Sequence, residues 1–223
     1  MCKESSLIVR FMCAAGFLCA WVIGTASAQT YNVLASFDQT DGGNANAAMI
    51  QGLDGNFYGM TPFGGNYNSL CENGCGTIFK LTPTGTLTTL YTFCSQANCV
   101  DGVIPEESLV QATNGNLYGT ASSGGANNDS YYCFNAGCGT LFELTPAGKF
   151  TVLYNFCSEA RCADGTAPLG LMQAANGSLY GLAGGGGFSN VRNGPCPTGC
   201  GTIFEVTPTG QFKTLHTFCS DNS

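Results

Sequence analysis

The chain has 223 residues, of which only 9% are charged, and its formal net charge is −7. An acidic surface with few Lys and Arg residues repels phosphate groups, so nucleic acid and anionic membranes are not expected partners. With 44% hydrophobic residues and 32 glycines, the composition is typical of a folded, turn-rich protein rather than a disordered one.

The first 28 residues have the pattern of a secretory signal peptide. Lys3 and Arg10 supply positive charge, residues 11–24 are apolar, and small residues at positions 26–28 offer a cleavage site. A membrane anchor is the weaker alternative, because the apolar run is shorter than the ~20 residues that a transmembrane helix needs. We expect export to the periplasm or the extracellular space, a mature domain over residues 29–223, and no membrane span after cleavage.

Two sequence markers recur three times along this domain. The letters CGTIF, CGTLF and CGTIF begin at Cys75, Cys138 and Cys200, and a second marker of the type NGNLYG precedes each of them. Recurrence of both markers with a period of about 62 residues is the signature of a tandem repeat. The predicted units cover residues 31–85, 86–148 and 149–210, with a partial fourth unit at 211–223.

Each unit is predicted to form four short antiparallel strands, which in the second unit span residues 86–93, 108–113, 116–121 and 140–145. The dipeptide Asn114-Gly115 is typical of a two-residue type I′ hairpin between the second and third strands. Both faces of the first strands are apolar, which favours sheets that are covered on both sides by neighbouring sheets.

These features predict an all-β fold, in which four-stranded antiparallel units form a propeller-like array. A β-prism of three sheets is the alternative. Propellers usually hold four to eight blades, so we expect either a longer natural protein or an incomplete array. An open array would leave residues 31–37 or 211–218 as a spare edge strand that favours self-association.

The order of the markers resembles a known repeat family. The segment GTIFKLTPTGTLTTLY is followed by an FC…C…DG segment and a GNLYGT…GG segment. This order is similar to the Gloeo_Verruco (GloVer) repeat of choice-of-anchor tandem-repeat proteins, and the resemblance covers nearly all of residues 31–219. It implies an exported bacterial β-repeat protein with a propeller-like fold, and it brings no catalytic residues.

Most cysteines occur in close pairs along the sequence, and the short loop after Phe37 lacks both members of a pair. Residues that are gained together behave like bonded partners, and an exported chain meets an oxidising compartment. This favours five disulfides and an unpaired Cys219, whereas a zinc site made by two neighbouring pairs is the alternative. The expected disulfides are Cys71–Cys75, Cys94–Cys99, Cys133–Cys138, Cys157–Cys162 and Cys196–Cys200.

Few residues suggest catalysis. The single histidine, His216, takes the repeat position of Tyr91 and Tyr154, which favours ring packing and leaves no partner for a histidine-based triad or metal site. Three aspartates that precede glycine are expected to shape turns, with calcium binding as the alternative. They are Asp41, Asp101 and Asp164. We therefore expect no cofactor, no resident metal and no catalytic residues.

The long loops between the third and fourth strands are the predicted recognition surface. They combine aromatic rings with amides, which suits sugars or protein surfaces, although such residues can also serve only to anchor and solubilise Gly-rich loops. The candidate ligand-binding residues are Phe63, Asn66, Tyr67, Asn127, Asp129, Tyr131, Tyr132, Phe188, Asn190 and Arg192. The sequence predicts an exported, non-catalytic binding module for a glycan or a protein, with an extracellular carbohydrate-active enzyme as the alternative.

Overall fold

The computed structural model of the protein describes residues 30–187, 196 and 198–218. All of its strands lie in the compact unit formed by residues 34–223. None of the helices in the described ranges is long and apolar enough to cross a bilayer. The elements are β1 (Ile50–Gln51), β2 (Phe57–Thr61), β3 (Thr77–Leu81), β4 (Leu87–Thr92), the 3-10 helix Ala97–Cys99, β5 (Val110–Gln111), β6 (Leu117–Ala121), β7 (Thr140–Leu144), β8 (Phe150–Asn155), the 3-10 helix Ala160–Cys162, β9 (Thr166–Gln173), β10 (Leu179–Gly185), β11 (Thr202–Val206) and β12 (Phe212–Thr217).

The strands form three four-stranded sheets of one design. Within each sheet the strands follow chain order, as β1–β2–β3–β4, β5–β6–β7–β8 and β9–β10–β11–β12. Every pair of neighbours is antiparallel, for example β2 with β3 and β6 with β7. The predicted fold, an all-β array of four-stranded antiparallel units with a propeller-like arrangement, is confirmed.

The sheets are one strand out of phase with the sequence units. Residues 87–92, which the sequence groups with the three strands that follow, form the outer strand of the first sheet and pair with β3. The cause is the tight turn at residues 82–86, in which Thr82 and Thr86 pair through their backbone at 2.9 Å. Because this turn leaves β3 and β4 adjacent, the two strands pair before the chain continues to the next sheet.

The β5–β6 hairpin has the predicted position but a different turn. A type I′ turn needs positive φ at both central residues, whereas Gly115 has φ 83° and Asn114 does not have a positive φ. The hairpin is a three-residue loop closed by Ala112 and Asn116, whose backbones pair at 2.9 Å. Asn114 Oδ1 instead accepts the backbone N–H of Asn116 at 3.0 Å, which stabilises the turn without left-handed backbone at the asparagine.

Neighbouring sheets pack through the same pair of rings at both junctions. Tyr91 of β4 stacks on Phe150 of the second sheet, with ring centroids 3.8 Å apart. Tyr154 of β8 stacks on Phe212 of the third sheet at 3.7 Å. His216 takes the corresponding place in β12, since it pairs with Ile203 as Tyr91 pairs with Ile78. The repeat therefore sets the interface between sheets as well as the sheets themselves.

The predicted strand at residues 31–37 is absent from the described structure, where this segment is irregular. A strand needs a neighbour to pair with, and the described chain supplies none before β1. Phe37 nevertheless packs edge-on against Phe79 at 5.0 Å, as Phe93 packs on Phe142 at 5.3 Å. The side-chain contact of the repeat survives where the sheet pairing does not.

Candidate functional site

The antiparallel order gives the array two different faces. The turn face carries the short connections within each sheet, and the loop face carries the long connections. On the turn face these are residues 52–56, 82–86, 112–116, 145–149, 174–178 and 207–211. On the loop face the described long connections are residues 62–76, 93–109, 122–139 and 156–165.

On the loop face, a buried aspartate closes each loop that joins two sheets. Asp101 is fully buried, and its Oδ2 accepts hydrogen bonds from the Tyr91 hydroxyl at 2.7 Å and the Ser95 backbone N–H at 2.9 Å. Its Oδ1 accepts the backbone N–H of Gln96 at 3.4 Å. Asp164 repeats this arrangement in the next loop. These carboxylates serve the turn, because each one accepts hydrogen bonds from its own loop and from the tyrosine of the strand before it.

The two tyrosines of these closures hold their protons tightly. Burial, and next the hydrogen bond to Asp101, raise the pKa of Tyr91 well above its usual value. Burial and Asp164 do the same to the pKa of Tyr154. Both hydroxyls therefore remain donors across the physiological range, which fixes each loop to its strand.

Four of the five predicted disulfides are present. They are Cys71–Cys75, Cys94–Cys99, Cys133–Cys138 and Cys157–Cys162. The predicted Cys196–Cys200 disulfide is wrong, because Cys196 is a free, half-buried thiol and Cys200 is bonded to another partner. A sulfur that is already bonded cannot form the local pair, and sequence spacing carries no sign of this. Cys219, predicted to be unpaired, lies outside the described residues.

The candidate site is a loop-face cleft of about 420 Å³ beside the first sheet. It opens between the segment before β1 and the β2–β3 loop. Backbone hydrogen bonds join these two walls, from Gly43 N–H to the Phe63 carbonyl and from Gly65 N–H to the Gln39 carbonyl, each at 2.8 Å. Its lining residues are Gln39, Gly43, Asn44, Phe63, Gly64, Tyr67, Glu72 and Asn73.

Two predicted ligand-binding residues, Phe63 and Tyr67, meet in this cleft. Phe63 is half-buried in the wall, whereas Tyr67 is 52% exposed. The Tyr67 hydroxyl donates to Gln39 Oε1 at 3.4 Å, which ties the ring to the opposite wall. The sequence did not point to Gln39 or Glu72, because no local pattern shows which polar residues a loop brings beside an aromatic ring.

Other predicted residues have internal partners. The Asn66 side-chain amide donates to the Phe93 carbonyl at 3.0 Å, and the Asn127 amide donates to the Phe156 carbonyl at the same distance. Asp129 Oδ1 accepts hydrogen bonds from the backbone N–H groups of Tyr131 and Tyr132, at 2.8 and 2.9 Å. These groups anchor the loops.

The remaining predicted residues divide in two. Tyr131 and Tyr132 pack edge-to-face at 4.9 Å, and Tyr131 is 43% exposed on the β6–β7 loop. They do not line the cleft beside the first sheet. Phe188, Asn190 and Arg192 lie outside the described residues, so their role in binding stays a prediction.

The turn face carries a second kind of concavity, a groove between neighbouring sheets. The first groove, of about 260 Å³, contains Tyr58, whose hydroxyl donates to Asp54 Oδ2 at 2.8 Å. The second, of about 470 Å³, contains Tyr118, whose hydroxyl donates to Glu143 Oε1 at 2.7 Å. Burial, followed by the hydrogen bond to Asp54, raises the pKa of Tyr58 to about 12. Both grooves place a tyrosine–carboxylate pair beside a proline turn, so they belong to the repeat.

The glutamine at the floor of each groove also links the sheets. Gln111 Oε1 accepts the backbone N–H of Leu53 at 2.8 Å, and Gln173 Oε1 accepts that of Thr113 at 2.9 Å. Each bond runs from the hairpin of one sheet to the first strand of the next. The grooves therefore mark the interfaces between neighbouring sheets and recur with the repeat. The described loop-face cleft is lined by different residues.

The sheets, their seams and their loop closures define a tandem β-repeat protein with a propeller-like arrangement. The family model for the Gloeobacter/Verrucomicrobia repeat matches residues 22–223. The chain therefore belongs to this repeat family, which confirms the resemblance seen in its sequence markers.

Several solved structures are similar to part of the chain. Virginiamycin B lyase from Staphylococcus aureus shares 12% identity and a TM-score of 0.40 over 75% of this chain and 39% of its own. A protein described as a gluconolactonase shares 18% identity and a TM-score of 0.40 over 74% and 45%. YjhT shares 15% identity and a TM-score of 0.47 over 88% and 58%.

The chain thus spans between 39% and 58% of the length of these three structures. No curated protein matches the sequence significantly.

Proposed function

We propose that the protein is an exported, non-catalytic binding module that recognises a glycan in the loop-face cleft. The observation that carries this proposal is the composition of the cleft, which sets an exposed tyrosine ring beside three amides and one carboxylate. The amides belong to Gln39, Asn44 and Asn73, and the carboxylate to Glu72.

Each part of this set suits a sugar. The apolar face of a pyranose ring packs on an aromatic ring such as Tyr67, which presents a large surface at a low cost in conformational entropy. Planar amides both donate to and accept from hydroxyl groups, and the Glu72 carboxylate accepts from two neighbouring hydroxyls. The hydrogen bond from Tyr67 to Gln39 holds the ring in place before the ligand arrives.

The charge of the chain favours a neutral ligand. The formal net charge of −7 and the carboxylate in the cleft oppose a sulfated or uronic-acid-rich polysaccharide. Neutral hexose or pentose polymers meet no such repulsion. We therefore expect a preference for uncharged glycans, and for binding that depends weakly on salt.

The described carboxylates favour binding over hydrolysis. Glycoside hydrolysis needs two carboxyl groups about 5–10 Å apart across the scissile bond. Among the described lining residues of the cleft, Glu72 is the single acid. Asp101 and Asp164 are buried and hydrogen-bonded within their loops, which leaves them no access to a substrate.

Export is supported by the disulfides. Four local bridges are present on the loop face, and such bonds persist in oxidising compartments. The predicted signal peptide, residues 1–28, lies outside the described residues and agrees with the same destination.

The test is a glycan array probed with the mature protein, followed by calorimetric titration of any oligosaccharide that binds. We expect a neutral glycan to bind, and Tyr67→Ala to weaken it at least tenfold. Phe134→Ala is the matched control, because Phe134 is an aromatic residue that is 76% exposed on the β6–β7 loop and does not line the cleft. Absence of glycan binding, or equal losses in the two variants, would contradict the proposal. Capture of a protein ligand through the same tyrosine would replace the ligand class.

A further inference from the structure

Four cysteines from two different loops meet on the loop face of the second sheet. The Sγ atoms of Cys133, Cys138, Cys157 and Cys162 all lie within 4.8 Å of one another. Three of these residues are buried and Cys157 is half-buried. Within the described ranges, no other group of three or more metal-ligating side chains comes together in this way.

Hydrogen bonds from side chains and from the backbone also hold these positions, in addition to the disulfides. The two loops are joined by the Asn127 amide, which donates to the Phe156 carbonyl at 3.0 Å. The Cys138 carbonyl accepts the backbone N–H of Ala167 at 3.0 Å, which ties the first loop to the start of β9. The Asp164 closure fixes the second loop beside them. Cleavage of both disulfides would therefore leave four thiols held near one point.

We propose that this cluster, when reduced, is a tetrathiolate site for a thiophilic divalent cation such as zinc. Zinc takes four sulfur ligands at about 2.3 Å in a tetrahedron, which places the sulfurs about 3.8 Å apart. The sulfurs that are bonded as Cys133–Cys138 and Cys157–Cys162 separate to that spacing once their disulfides are reduced. The sulfurs of different pairs are already within 4.8 Å of one another, so they need to approach by at most about 1 Å to reach the zinc spacing.

A dithiol is the reductant that converts the two disulfides into four thiols. Each disulfide takes two electrons and two protons from one dithiol, which becomes a disulfide in turn. The two bridges thus yield four thiols, and a bound cation displaces their protons to leave four thiolates. Two molecules of a disulfide oxidant, each of which takes two electrons from one cysteine pair and two protons from solvent to become a dithiol, reverse the sequence and release the cation. The same four residues serve as two loop staples in one state and as one metal centre in the other.

The two loops beside the first sheet, residues 62–76 and 93–109, supply an internal control. They carry cysteines in nearly the same places, but the Asn68 amide lies between them and donates to Cys94 Sγ at 2.7 Å and to Cys99 Sγ at 3.0 Å. In the β6–β7 loop the corresponding turn residue is Asp129, whose carboxylate side chain has no N–H group to donate to sulfur. Among the described residues, the first set of sulfurs does not gather within the same distance, so we expect no metal ion at that set.

The experiment uses the mature protein, reduced with dithiothreitol, freed of reductant under argon and titrated with Co²⁺ and then Zn²⁺. We expect one equivalent of Co²⁺ with the sulfur-to-cobalt charge-transfer absorption of a tetrathiolate, and its displacement by Zn²⁺. Cys133→Ser/Cys157→Ser should abolish the absorption, whereas the matched variant Cys71→Ser/Cys94→Ser should keep it.

A second measurement needs no variant. In the reduced wild-type protein, Zn²⁺ should protect the four cluster cysteines from iodoacetamide, as mapped by peptide mass spectrometry, while the first-loop cysteines react. Absence of charge-transfer absorption, or protection of the first-loop cysteines equal to that of the cluster, would overturn the proposal. Oxidised protein should bind no Co²⁺, and binding there would show a different site.

Discussion

The two faces of the array obey the repeat to different degrees. On the turn face, the hairpin at residues 112–116 is closed by the same backbone bonds as those at 52–56 and 174–178. On the loop face, the segment after Phe37 is short, whereas the segment after Phe93 carries a disulfide and a buried aspartate. The turn face builds the array, and the loop face is where the units differ.

Asp41 and Asp101 show how this difference arises. Both backbone carbonyls accept a threonine hydroxyl of the following sheet, from Thr77 at 2.8 Å and Thr140 at 3.5 Å. The side chains differ, since Asp41 is half-buried and receives the backbone N–H of Asp38, whereas Asp101 is buried under Tyr91. The cleft proposed to bind a glycan lies beside this shorter loop, since Gln39, Gly43 and Asn44 line it.

The largest loss of stability is expected from Asp101→Ala, on the loop face. The substitution leaves a phenol and two backbone N–H groups without their acceptor in a buried place, so we expect a loss of about 3 kcal/mol in the free energy of unfolding. Denaturant unfolding with intact disulfides measures it. Asp41→Ala is the control and should cost less than about 1 kcal/mol, because its carbonyl keeps the bond from Thr77. Equal costs would show that the two loops are closed alike.

Alkaline pH should weaken the same closures. The pKa values of Tyr91 and Tyr154 are raised in the folded state, first by burial and then by their aspartates. Their contribution is therefore complete below the unfolded value of about 10 and is lost as pH rises from there towards the folded values. Unfolding free energies between pH 8 and 11 should fall above pH 10. A flat profile would mean that the phenols titrate alike in both states.

The single substitution Tyr91→Phe sharpens the contrast between the faces. It removes the hydroxyl that donates to buried Asp101 and keeps the ring that stacks on Phe150, so we expect a loss of about 1–2 kcal/mol. Tyr58→Phe removes the corresponding bond to exposed Asp54 on the turn face and should cost clearly less. Unfolding midpoints of the two variants, measured side by side, would contradict the account if Tyr58→Phe proved the more harmful.

The smallest effect is expected on the turn face itself. Gly115 has φ 83°, and a Cβ added there would meet no atom within 4 Å. Gly115→Ala should therefore cost only the left-handed backbone strain of about 1 kcal/mol. Gly55→Ala, at φ 80° in the same open surroundings, should cost the same. Unequal stability losses of the two variants in thermal unfolding would show that the two hairpins differ in energy although their backbone hydrogen bonds are the same.

Much of the fold was predictable because the repeat displays it three times. Period, hairpin positions and strand positions follow from local patterns such as Asn114-Gly115. The grouping of strands into sheets was not predictable, since a periodic sequence has no marked beginning and Leu87–Thr92 fits either neighbour. The segment at residues 31–37 has strand chemistry but lacks a partner strand in the described chain, and pairing is a property of two segments.

The site was predicted only in outline. Phe63 and Tyr67 stood out as aromatic residues in a Gly-rich loop, and both line the cleft. Gln39 lines the same cleft although it lies 28 residues before Tyr67 in the sequence. Asn66 looked equivalent to a ligand-binding amide but anchors its loop instead. A side-chain amide can either bind a ligand or anchor a loop. Which role it has depends on its hydrogen-bond partner, and that partner is known only from the fold.

The most direct test of the account is a crystal structure of the mature protein soaked with an oligosaccharide selected on the array. We expect a sugar ring against Tyr67, with hydroxyl groups bonded to Gln39 or Glu72, and both grooves of the turn face free of ligand. A sugar seated instead on the turn face, beside Tyr118 and Glu143, would contradict the assignment of recognition to the loop face.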